Sequence, residues 1–99
     1  LFRLQFNLYS KRTCYVIDAI ILTLDTPELI GNLNNLYEKV GLKYNIESNK
    51  IRRSIIGSID IMNNHISKEQ LRSFFYIYNN EKVNPKYFFT LVYEYFSNT

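Results

Sequence analysis

Ile51, Ile55, Ile59 and Met62 recur every three or four residues through the stretch YNIESNKIRRSIIGSIDIM, residues 44–62. That spacing follows the turn of an α-helix and predicts a helix over about 47–63 with one face buried. The other face is defined equally well. Asn49, Lys50, Arg53, Gly57 and Asp60 project outward, Ile56 lies at the margin and Arg52 to the side. A glycine at this point lowers helix propensity by about 1 kcal/mol relative to alanine. Either the outward face meets something large that needs close approach at Gly57, or Gly57 relieves crowding between helices.

The remaining punctuation is also helical. Val16, Ile17, Ile20, Ile21 and Leu24 recur at helical spacing over Tyr15 to Leu24. Asp25-Thr26-Pro27-Glu28 then ends one helix and begins another, with Thr26 as N-cap and Pro27 at the first helical position. Leu29, Leu33, Leu36 and Val40 carry one face to about Lys43, with a break near Gly31 to Asn35. Asn45 to Ser48 is a polar link, and Asn63-Asn64-His65 closes the helix after it. Ser67 and Gln70 form a capping box with Ile66 and Leu71 as a staple, opening a helix from Lys68 to about Phe75. Asn79 to Lys82 reads as a turn. Asn84 caps a last helix with Pro85 at its first position and Val83 and Phe88 as a second staple. Phe88, Leu91, Val92, Tyr95 and Phe96 face the core. Only residues 2–9 differ. There Phe2, Leu4, Phe6 and Leu8 alternate with polar residues, which predicts a short N-terminal β-strand, pairing with Phe74 to Tyr78 or with a second subunit. The expected fold is mainly α, a helix-turn-helix domain spanning 1–99 as a single unit, with room for a wing.

Composition narrows the function. One cysteine, Cys14, and one histidine, His65, cannot make a zinc site of usual ligand count. Cys14 has no internal disulfide partner, which favours a reducing, cytoplasmic location. No apolar run reaches the roughly 18 residues of a membrane span. Phosphate-binding, dinucleotide and nucleophile-elbow patterns are missing, and no two carboxylates are spaced for acid–base work. The expectation is a non-enzyme with no cofactor, metal or small-molecule substrate.

The charge pattern points elsewhere. Lys39, Lys43, Lys50, Arg52 and Arg53 face Glu47 alone between residues 39 and 53, a local net charge above the +3 of the whole chain. Two helices a few residues apart, the second basic near its start, form the helix-turn-helix pattern, whose second helix enters the major groove of DNA. Arg53 can bond guanine with its planar fork, Asn49 can do the same for adenine, and Ile56 can touch a thymine methyl. The basic stripe alone also describes an ordinary solvated helix.

Glu28-Leu29-Ile30-Gly31, Leu36-Tyr37, Lys43-Tyr44-Asn45, and Ile51, Arg53 and Ile55 come in an order that carries a family resemblance. The run from Ala19 to Ile59 resembles the C-terminal DNA-binding effector domain of the stage-zero master regulator of sporulation in spore-forming bacteria. The resemblance implies an all-helical domain that binds promoter DNA as a dimer. It puts Asn49, Lys50, Arg52 and Arg53 in the region that contacts bases and phosphates. Arg52 stands where the family has a glutamate, and Ile56-Gly57 where it has basic residues, so the family's DNA site does not carry over.

The sequence reading is therefore sequence-specific binding of double-stranded DNA by a homodimeric transcription regulator. Asn49, Lys50, Arg53 and Ile56 contact bases, and Lys39, Lys43, Ser48 and Arg52 hold the backbone. Two other readings stay open. One is a plasmid or phage accessory protein for DNA transfer or partition. The other is a protein-interaction module using Tyr87, Tyr93 and Tyr95 of the last helix.

Overall fold

A computed structural model describes residues 10–75 and 82–97. All regular structure among them is helical: α1 (Lys11–Asp25), a 3-10 turn (Pro27–Gly31), α2 (Leu33–Tyr44), α3 (Ser48–His65), α4 (Lys68–Phe74) and α5 (Pro85–Ser97). The strand expected at 2–9 lies outside the described residues. So does most of its suggested partner, of which Phe74 closes α4 and Phe75 follows as its C-cap. Only Ile66 and Ser67 separate α3 from α4, which leaves no room there for the β-ribbon of a wing.

Helix starts follow the side chains that satisfy their free N–H groups. Ser10 Oγ accepts from the Arg12 and Thr13 amides, so α1 begins at Lys11, one turn earlier than its apolar spacing suggests. Thr26 makes no capping bond; its hydroxyl donates to Asp25 instead. The segment after it is a 3-10 turn, and α2 begins only where Asn32 Oδ1 accepts from the Asn35 amide. This is the break expected near Gly31. The Ser67–Gln70 capping box is complete, and Asn84 Oδ1 accepts from the Tyr87 amide at the start of α5.

α3 packs against both α1 and α2, and α5 closes over α1, the 3-10 turn and α3. Its isoleucine stripe is fully inward: Ile51, Ile55 and Met62 are 0% exposed and Ile59 1%. Val16, Ala19, Leu36, Val40, Phe88, Phe89 and Leu91 join the same core. Burying each such side chain contributes about 1.5–3 kcal/mol, so the face of α3 that turns inward is set by energy and not by local charge. Tyr95 stacks on Phe74 with centroids 4.8 Å apart and binds α5 to α4. Phe96, expected in the core, is 50% exposed. It lies in the last turn of α5, next to Tyr95, whose ring it meets edge-on.

Two polar devices fix the ends of α3. At its C-terminus the Asn63 side chain pairs with the backbone of Val83: Nδ2 donates to the Val83 carbonyl (2.7 Å) and Oδ1 accepts from its amide (3.1 Å). At its N-terminus lies the turn from α2. Asn45 adopts φ 55°, ψ 49°, a left-handed conformation that asparagine tolerates better than most residues. The Ile46 amide donates to the Gly41 carbonyl (2.9 Å) and the Asn45 amide to that of Leu42 (3.4 Å). This is the Schellman pattern of helix termination. It turns the chain within three residues, and α3 begins at Ser48.

Candidate nucleic-acid interface

With the isoleucine stripe buried, the first two turns of α3 present Asn49, Lys50, Arg52 and Arg53 to solvent. The Arg53 Nε donates back to the Asn49 carbonyl at 3.4 Å, a long bond that leaves its terminal N–H groups available. Ile56 is half-buried at the edge of this face. Ser48 is half-buried at the first position of α3, and Lys39 is exposed on α2. Glu47, the N-cap residue, makes no side-chain capping bond to the first amides of α3. Arg52 lies to the side. Its charge reaches the Tyr37 hydroxyl of α2, whose pKa burial raises and the guanidinium partly lowers again.

Lys43 is tied down. Its Nζ lies 2.8 Å from Asp18 Oδ1 of α1, in an ion pair whose lysine side chain is 61% exposed and whose aspartate is 15% exposed. Tyr44 donates its hydroxyl to the other oxygen of Asp18. This bond, with burial and the carboxylate charge, pushes the Tyr44 pKa up to about 12. The Tyr44 ring also meets Tyr15 edge-on, with centroids 4.9 Å apart. α1 is therefore fastened to the end of α2 where the turn begins, and part of the Lys43 charge is offset by Asp18.

Gly57 has an unforeseen neighbour. A methyl group there would stand 3.2 Å from Nη1 and 3.6 Å from Cζ of Arg12, which reaches over from α1. Gly57 is thus not a bare patch on the outer face. Neither Arg12 nor Asp18 was singled out by sequence reasoning. Both lie on α1, far along the chain from α3, and only folding brings them to the turn and the outer face. Tyr95, offered as part of a protein-binding patch, is stacked on Phe74, and Tyr87 packs against the core. Among the described residues no cluster of side chains suits a metal ion, and no helix is long and apolar enough to cross a membrane.

Among the described residues all regular structure is helical, and the basic side chains at the start of α3 are open to solvent. The chain matches the family model described as "Sporulation initiation factor Spo0A C terminal" over residues 2–95, and it belongs to that family. Members of that family are DNA-binding domains of transcription regulators. No curated protein and no solved structure compared with the chain gives a match.

Proposed function

We propose that this chain binds double-stranded DNA in a sequence-specific way as the effector domain of a transcription regulator, acting in the cytoplasm as a homodimer. α2 braces α3, and α3 enters the major groove with its N-terminal half. The observation that carries this reading is the opposed placement of the buried isoleucine stripe and the exposed Asn49, Lys50 and Arg53 on the same two turns. In this docking Arg53 exchanges its weak bond to the Asn49 carbonyl for guanine acceptors. Asn49 meets adenine, Lys50 guanine, and Ile56 a thymine methyl. Lys39, Ser48 and Arg52 hold phosphates on either side, and so does Lys43 to the extent that Asp18 releases it. The uncapped amides at the start of α3 add a favourable dipole toward phosphate.

Selection of bound sites from random duplexes, followed by titration, tests the reading. Arg53→Ala is expected to weaken binding to the selected site by about 1–3 kcal/mol and to blunt selectivity at one base position. Full affinity and selectivity in that variant would exclude α3 as the reading helix. The stacking of Tyr95 within the fold weighs against an aromatic protein-binding patch on α5.

A further inference from the structure

The basic residues of α3 end early. After Arg53 no lysine or arginine follows to the end of the helix at His65, and the outward positions in the next turns are Ile56, Gly57 and Asp60. A helix lying along a groove would bring this neutral and acidic stretch close to phosphates. The structure places a cation there from another element. The Arg12 guanidinium lies against Gly57, within 3.2 Å of where a side chain would begin. Arg12 is exposed, and among the described residues no carboxylate pairs with it. Its backbone is held by the Ser10 cap, whose hydroxyl accepts from the Arg12 amide at 3.1 Å.

We infer that Arg12 is a DNA phosphate contact supplied by α1, and that Gly57 lacks a side chain in order to seat its guanidinium beside α3. This rests on the reading that α3 enters the groove. It extends the cationic face by one turn past Arg53, to where Asp60 would otherwise repel the backbone. As a phosphate contact it carries no sequence information, so its effect is expected to be independent of sequence.

The test is a salt series of binding titrations with two duplexes, the site selected by the wild-type protein and one of unrelated sequence. Arg12→Ala is expected to weaken both by the same factor, about threefold to tenfold, and to lower the magnitude of the salt slope by about 0.9, as for one lost phosphate contact. Arg12→Lys keeps the charge and recovers most of the slope. Gly57→Ala raises the melting temperature, because alanine favours helix, yet weakens both duplexes. Adding it to Arg12→Ala causes no further loss. An unchanged slope and affinity in a folded Arg12→Ala protein, with binding lost in Arg53→Ala, overturns the role of Arg12 and leaves the docking of α3 intact. Unchanged binding in both variants overturns the docking itself. A loss confined to the selected duplex overturns the phosphate assignment.

Discussion

Gly41 sits at the end of α2 with no space for anything larger than hydrogen. A Cβ there would lie 2.4 Å from the carbonyl oxygen of Ile46, a backbone atom of the turn itself. Gly41→Ala gains helix propensity but must displace that carbonyl. The expected net effect is a destabilisation of about 1–3 kcal/mol, the range for overpacked interiors. At Gly31 an added Cβ meets nothing within 4 Å. Gly31→Ala is expected to be neutral or to stabilise by about 0.5 kcal/mol by restricting the unfolded chain. Denaturant titration of the two variants side by side checks the contrast. Tyr44 gives a second prediction at this scale. Its pKa rises from 10.0 to about 12 in the folded state, so at pH between these values the unfolded chain has lost a proton that the folded chain keeps. Its contribution to stability is complete below pH 10 and disappears as pH climbs through 12. Tyr44→Phe should flatten that part of the stability–pH curve, as followed by denaturant midpoints in alkaline buffers.

Among the elements, α3 was the most legible from sequence. Ile51, Ile55, Ile59 and Met62 leave only one face to bury, and the helix runs from Ser48 to His65 as that spacing demands. Caps at Ser67 and Asn84 were legible for the same reason: each satisfies N–H groups within three residues, so the signal is local. Thr26 misled because a plausible cap followed by proline does not decide between an α-helix and a 3-10 turn. Asn32 decided it by capping α2 further along. Asn63 read simply as a helix stop. Its bidentate grip on Val83 spans 20 residues, and no local pattern announces it. Asn63→Ala removes both bonds and leaves the partly buried amide and carbonyl of Val83 to find water. A cost of about 1–3 kcal/mol is expected. Hydrogen exchange should show the amide of Val83 losing protection while the Gln70 amide, in a separate cap, keeps it.

At the level of the whole molecule, the surroundings of the outer face arise in two ways. Asn49, Lys50, Arg52 and Arg53 emerge on the outer side of α3 because the core claims the opposite side. Periodicity determines that much. The surroundings of Lys43 and Gly57 depend on Asp18 and Arg12, which the order of packing of α1 against α2 and α3 brings near; sequence spacing holds no trace of it. The proposed activity also predicts a global property. Affinity for duplex DNA should fall steeply and linearly on a logarithmic salt scale, with a slope of about −0.9 for each phosphate neutralised. A homodimer on DNA should protect two half-sites about one helical turn apart, or a multiple of it. Footprinting over a range of protein concentrations checks the spacing, and a single half-site protected at saturation would remove the dimer.

Asp18 has a cost as well as a use. The carboxylate that holds the end of α2 against α1 also cancels charge on Lys43, at the rim where a polyanion would arrive. If Lys43 holds a phosphate as proposed, rigidity and grip are set against each other at a single side chain. Asp18→Asn should yield a protein that melts at lower temperature but clings more tightly, and less discriminately, to any duplex. On the proposed docking, the native residue would give up indiscriminate adhesion in return for a turn that holds its shape.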